Sequence, residues 1–327
     1  MEVNLAELLE ELLDGNKHKG FAARLKCLDC EPVIDGVDLF GKFFYLPFRS
    51  GKPTVKEFVN YLYGKLVYFC IPRSVREEAL KKLNETRQFE CIQNLFDEAK
   101  NLFVTAGIKG YRSGEPGELI LFILLEAALG APQIVSKMYL KTSEEMPVHG
   151  CDAIHVSFNP STETLCVYWG EAKIYQELSS ALDDTCESIV SFREDMDGDG
   201  RSAQSRDIAI IRDHADITDG PFKEALMKYF DPYEEEYNKL EECHACFVGF
   251  EYSVLSNINI LDEDSIDEAF RKKYSERAES AMSLFADKIR GSKLHDNKFV
   301  LFLLPFVNVG KFRRMFFTTI GQGVSDD

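Results

Sequence analysis

The sequence lacks an apolar run long enough to cross a bilayer. Its longest runs, residues 119–125 and 299–307, fall well short of the roughly 20 residues that a membrane helix requires. It also lacks a basic start: MEVNLAELLEELLDG places acids where a secretory leader carries its cationic region. These two absences predict a cytoplasmic protein with no membrane partner. No Gly-x-x-x-x-Gly-Lys-Ser/Thr loop is present, so any ATP-driven step must come from a partner. Histidine is scarce, at six residues. His149 and His155 are too sparse for a histidine-based metal site or a catalytic triad, and a loop role suits His149. Internal repeats and low-complexity segments are absent, which excludes solenoids and disordered tails.

What is present is the balance of an ordinary globular protein, with 45% apolar and 28% charged residues. At roughly 150 residues per domain, a chain of 327 residues predicts about two domains. The nine cysteines are odd in number and scattered, which favours buried free thiols over a disulfide framework. Cys27-x-x-Cys30 and Cys243-x-x-Cys246 leave a four-thiolate zinc site open, one that would staple the N-terminal subdomain to the core. Their wide separation and the apolar run around Cys246 make free thiols the better reading.

Positive charge is in short supply. Lys and Arg number 38 against 55 Asp and Glu, a formal net of −17. Residues 1–110 carry 16 of each sign, and residues 111–327 hold the whole deficit. That step predicts a boundary between residues 1–110 and 111–327. An acidic second part argues against broad adhesion to nucleic acid, which needs many cationic phosphate contacts. It leaves room for a nucleic-acid enzyme with a bound metal or a local cationic strip. The stretch 177–242 carries 19 acids and seven basic residues, a solvated face or a surface for a basic partner. Lys311, Arg313 and Arg314 form one cationic turn near the chain end, in reach of phosphates.

The hydrophobic pattern predicts a helical N-terminal region, with helices over 5–13, 56–70, 72–83 and 89–103. Then SGEPGELILFILLEAALG gives a helix that is apolar on every side, hence buried. Strand-like runs follow at 134–140, 152–158 and 164–169, then a helix over 176–192. Residues 207–214 are ambiguous between strand and helix. Beyond them come a helix (222–240), a strand (246–254), a helix (265–290), a strand (298–306) and a helix (310–319). The second part is therefore a mixed α/β domain, with a sheet flanked by helices.

Four residues fall where this order becomes chemistry. Glu118 starts the buried helix, Asp152 opens the second strand, and Glu171 and Lys173 close the third in YWGEAKIY. Glu-x-Lys on a strand puts both side chains on one face. Antiparallel pairing can bring Asp152 beside Glu171. Such a set suits metal-assisted phosphodiester hydrolysis: carboxylates hold Mg²⁺ or Mn²⁺, the metal activates water, and the lysine orients that water and stabilises developing charge. Gln176, three residues beyond Lys173, is a candidate phosphate or water contact and equally an ordinary helix-start residue. The bland alternatives are a solvated Glu-Lys pair, an acid favoured by the helix dipole at Glu118, and a turn cap at Asp152.

The set Asp152, Glu171-Ala172-Lys173 and Glu118, in the order helix, strand, strand, strand, helix, resembles the PD-(D/E)xK nuclease pattern, with Cys151 in place of the proline. More narrowly, residues 110–320 resemble the HamA family of Hachiman antiphage defence. The features are GELILFILLEAALG, HGCDAIHV, GEAKIY and FVLFLLPFVNVGKFRRMFF. The resemblance implies a restriction-endonuclease-like core and a Mg²⁺-dependent nuclease acting on DNA. It implies metal ligands Glu118, Asp152 and Glu171, with Lys173 serving the attacking water. It also implies control by a HamB-like helicase subunit. The rival reading is a non-catalytic adaptor that keeps the fold and docks to the helicase.

One further motif is discounted. Asp195-Met-Asp197-Gly198-Asp199-Gly200 resembles the first half of a calcium loop. Arg206 stands where the closing glutamate is needed, so a solvated acidic loop is expected.

Overall fold

A helix with no polar side has to be covered all round. In the computed structural model, which describes residues 4–13, 17–28, 34–106, 115–140, 150–257 and 263–321, the run from Leu119 to Leu125 is covered in this way. None of its seven side chains is more than 1% exposed.

Along the chain come α1 (Leu5–Leu13), α2 (Phe21–Arg24), β1 (Lys26–Cys27), β2 (Asp38–Tyr45), the short hairpin β3 (Phe48–Arg49) and β4 (Lys52–Pro53), then α3 (Val55–Tyr63), α4 (Leu66–Cys70), α5 (Arg73–Thr86), α6 (Glu90–Ala106) and α7 (Glu115–Leu129). The second part runs β5 (Gln133–Val135), α8 (Lys137–Leu140), β6 (Ala153–Asn159), β7 (Thr164–Tyr175), α9 (Leu178–Glu194), α10 (Ala203–His214) and α11 (Gly220–Lys228). It continues with β8 (Leu240–Glu251), α12 (Val254–Asn257), α13 (Glu263–Arg290), β9 (Lys298–Phe306) and α14 (Val309–Thr319).

The class is α/β, as the pattern predicts: a helical N-terminal region precedes a mixed sheet flanked by helices. Among the described residues the main sheet has seven strands, ordered β1-β2-β9-β8-β7-β6-β5. The pairs β2–β9, β9–β8 and β8–β7 are parallel, whereas β7–β6, β6–β5 and β1–β2 are antiparallel. Parallel strands in the middle of a sheet are covered on both faces and read as unbroken apolar runs. That accounts for β8 and β9, buried from Cys243 to Phe250 and from Phe299 to Phe306. One face packs on α3, α4, α6, α7 and α14. The other packs on α9 and α13 around β8 and β9, and on α1, α10 and α11 around β6 and the first half of β7.

Several local expectations change, and the helix expected over 222–240 ends at Lys228, with β8 starting at Leu240. Residues 134–140 form a short strand and a short helix rather than one strand. Ser136 breaks the run, and its hydroxyl donates to the carbonyls of Phe69 and Cys70 at 3.1 and 3.0 Å. The ambiguous residues 207–214 are helical, in α10, which Ser202 caps by accepting from the Ser205 amide. The N-terminal region is not all helix: β2 pairs with β9 from Asp38–Lys298 to Phe43–Leu303. Its partner lies near the other end of the chain, so no local pattern announces it. Among the described residues no helix is long and apolar enough to cross a membrane.

The N-terminal segment is tied to α7 through a buried charge. Glu126, 3% exposed, binds Lys17 at 2.7 Å and His18 at 2.6 Å, and accepts the Gln133 amide at 3.1 Å. Burial works against its charge, but Lys17 and His18 outweigh burial and hold Glu126 below the usual carboxylate range. Removing one partner of a buried pair strands the other. Glu126→Ala should therefore lower stability by about 3–5 kcal/mol, read by urea denaturation; a loss below about 1 kcal/mol would show the pair to be dispensable.

Candidate active site

Strand β7 is paired on both edges only as far as Gly170. The last β6 pairing is Ala153 with Gly170, while β8 continues alongside to Tyr175. One edge of β7 is thus free of β6 over its final residues, and Asp152 stands at the point where pairing stops. Its amide donates to the Gly170 carbonyl at 2.7 Å. Its Oδ2 accepts the Ala172 amide at 2.9 Å, so a carboxylate takes the place of the next backbone carbonyl in the ladder. Oδ1 keeps no protein hydrogen bond among the described residues. Strand alternation also directs the Ala172 and Ile174 carbonyls to this edge. Arg313 of α14 donates to the Ile174 carbonyl at 2.7 Å.

Glu171 and Lys173 project from the face of β7 that meets α9, and lie 2.7 Å apart. Burial and the neighbouring Asp152 push the Glu171 carboxyl up to about 7, against the opposing pull of Lys173 and a hydrogen bond from Ser188. Burial disfavours charge on Lys173, but Glu171 and Asp152 overcome it and hold the ammonium above its usual range. The face of α9 that carries Ser188 also carries Asp184 one turn earlier, and Asp184 accepts the Tyr175 hydroxyl. Gln176 is exposed at the strand's end.

Glu118 sits on the helix that meets the same end of β7 from the other side. It lies in the first turn of α7, 6% exposed. At the preceding Gly117 a Cβ would stand 3.3 Å from the Ala172 Cβ. Ala172 and Ile174 therefore face α7, and Glu171 and Lys173 face α9, with the free edge of β7 between them. Among the described residues no three His, Cys, Asp or Glu side chains form a ready-made metal cluster. Asp152 is the carboxylate whose charge Glu171 feels.

The turn before Asp152 is anchored from beneath. Lys137 and Asp207, 2% and 0% exposed, pair at 2.9 Å. Asp207 Oδ2 accepts the Cys151 amide at 3.0 Å and its thiol at 3.1 Å, and Lys137 donates to the Cys151 carbonyl. The Cys151 thiol is thus a donor to a buried carboxylate. Burial, reinforced by Asp207, pushes it well above the ordinary thiol range, so it is no nucleophile. At Gly150 a Cβ would lie 2.5 Å from Asp207 Oδ2, which demands glycine.

The other motifs resolve as follows. Cys243 and Cys246 belong to opposite faces of β8 and cannot grip one zinc ion together; Cys30 and His149 lie outside the described residues. His155 is buried, bound to the Ala131 carbonyl at 2.8 Å and pushed down to about 4 by burial. In the acidic loop, Asp197 accepts the amides of Asp199 and Arg201, and Arg206 pairs with it at 2.9 Å. A cation occupies the place where calcium would need its last ligand. Local patterns did not reveal Ser188, Asp184 or the Lys137–Asp207 pair. The first two were legible at most as polar positions four apart on α9. The last joins residues far apart in sequence.

Two outcomes follow for this site. Gly150→Ala should cost about 1–3 kcal/mol in thermal or urea unfolding, because Asp207 has to move away from Cys151. In the absence of metal, the raised Glu171 contributes fully only while it is protonated. That contribution is present below the ordinary carboxylate range and is lost as pH rises through about 7. The stability of Glu171→Gln relative to wild type should therefore grow by about 2 kcal/mol between roughly pH 5 and pH 8.5. Urea denaturation at the two pH values measures it, and a constant difference would refute the uncompensated carboxylate.

Compared with known protein families, the chain matches the HamA family model over residues 23–320. No curated protein matches it.

Proposed function

The chain belongs to the HamA family, which points to a component of Hachiman antiphage defence, and on that premise we propose that it is a metal-dependent DNA nuclease controlled by a helicase partner. The observation that carries the proposal is the meeting of Asp152, Glu171 and Lys173 at the free edge of β7.

The donor set fits a hard divalent cation. Asp152 offers Oδ1, and Glu171 is a buried carboxylate short of positive charge. Mg²⁺ or Mn²⁺ takes oxygen ligands, and Mg²⁺ keeps several waters, so two carboxylates with Glu118 as a third are sufficient. Bound there, the metal would neutralise phosphate charge and make a water more acidic. With the metal bound, Glu171 would stay ionised as a ligand and offset the burial that otherwise favours its protonated form. Lys173, held protonated, orients that water and donates to the phosphate oxygen on which charge develops. Ser188 fixes the Glu171 carboxyl, and Arg313 presents a cation beside the edge where a phosphodiester would lie.

The site also bears on the adaptor reading. A buried carboxyl raised to about 7 weakens the fold at neutral pH. A pure docking subunit has no use for that cost. Such a site is what chemistry requires.

In a Mg²⁺-dependent plasmid degradation assay, with the helicase partner and ATP present, wild type should cleave. Lys173→Ala should be slower by about 10²–10³-fold with the fold intact. Absence of cleavage by wild type while bound to the partner would favour the adaptor. Equal cleavage by the variant would remove Lys173 from the site.

A further inference from the structure

Away from β7, helices α4, α5 and α6 and the end of α1 enclose a cavity of about 310 Å³. Three cations line it, Lys17, Arg73 and Arg76, against one carboxylate, Glu77, with Tyr68 beside them and Ile92 and Phe96 on the apolar wall. Arg76 stacks over Tyr68, its guanidinium carbon 5.0 Å from the ring centroid.

The three cations differ in how they are satisfied. Lys17 is paired with Glu126. Arg73 donates to Glu77 and to the Glu11 carbonyl, both at 2.9 Å. Arg76 has a buried Nε with no hydrogen-bond partner, and among the described residues no carboxylate pairs with it. The two carboxylates whose charge it feels are engaged elsewhere. Glu126 is taken by Lys17, His18 and the Gln133 amide; Asp216 by the amides of Arg73 and Ser74 and by the Ser74 hydroxyl. Burial lowers the Arg76 guanidinium from its usual range, and Asp216 and Glu126 only partly offset this. A half-buried guanidinium with an unpartnered Nε and no carboxylate, beside an open cavity, is costly unless a ligand completes it.

We propose that this cavity binds a nucleotide, with the phosphate held by Arg76 and flanked by Lys17 and Arg73. Guanidinium matches phosphate through paired N–H donors. The apolar wall at Ile92 and Phe96 receives the planar base, and the volume falls in the range of small-molecule pockets. The site shares no residue with the β7 edge, and the inference stands independently of the nuclease reading. A free mononucleotide and the phosphorylated end of a nucleic-acid strand present the same group.

The test is isothermal titration calorimetry of the full chain with AMP, adenosine, and a short oligonucleotide with and without a 5′-phosphate. AMP should bind, adenosine at least about tenfold more weakly, and Arg76→Gln should lose at least about tenfold in affinity for AMP. Lys173→Ala should bind AMP as wild type does. A preference for the 5′-phosphorylated oligonucleotide that depends on Arg76 upholds the phosphate site and identifies strand ends as its source. If neither AMP nor the phosphorylated oligonucleotide shows Arg76-dependent binding, the proposal fails. Should Arg76→Gln lose its far-ultraviolet circular dichroism, Arg76→Lys takes its place. That variant keeps the charge without the planar fork and should show an intermediate loss.

Discussion

The candidate site depends on how closely α7 lies against the sheet. Gly117 rests on Ala172, and at Gly170 a Cβ would lie 2.7 Å from the Ala153 Cβ and 2.9 Å from Leu121 Cδ2. Two glycines thus let the apolar helix settle onto β6 and β7 where their pairing ends. That contact brings the first turn of α7, with Glu118, to the strand end that carries Glu171 and Lys173. A side chain at Gly170 would force helix and sheet apart, and one at Gly117 would make Ala172 give by a few tenths of an ångström. Interiors are packed densely enough that such a shift is not absorbed locally.

The molecule treats its buried carboxylates in two ways. Glu126 is surrounded by Lys17, His18 and an amide, and its charge is secured. Asp207 is matched to Lys137 and to the donors of Cys151, and so fixes the turn before Asp152. Glu171 is left with one lysine and one serine against burial and a neighbouring acid. The fold therefore spends its buried cations on architecture and leaves an anionic deficit of compensation at the β7 edge. Arg76 is the converse case, a cation without its anion.

Much of the fold was legible along the chain because its signals are local. The all-apolar run of α7, the continuous strands β8 and β9, and the helices α9, α13 and α14 follow from periodicity and length. β2 escaped because its partner is β9, near the other end of the chain. The run 134–140 misled because Ser136 is held by carbonyls of α4, a contact that no pattern contains. The residues Asp152, Glu171 and Lys173 were legible because a turn, a strand and alternation place them. The Cys243-x-x-Cys246 pair was a false lead, since in a strand residues three apart point to opposite faces.

By itself, the sequence determined the α/β class, the order of the core elements, and the shared face of Glu171 and Lys173. These follow from side-chain periodicity within single elements. Tertiary structure decided what those groups experience. It ended the β6 pairing at Gly170, seated Asp152 on the free edge, and placed Ser188 and Arg313 around it. It also joined Lys137 to Asp207 beneath Cys151 and left Arg76 unpaired at its cavity. Burial and the proximity of distant charges set proton affinity, and both exist only once segments remote in the chain have packed together.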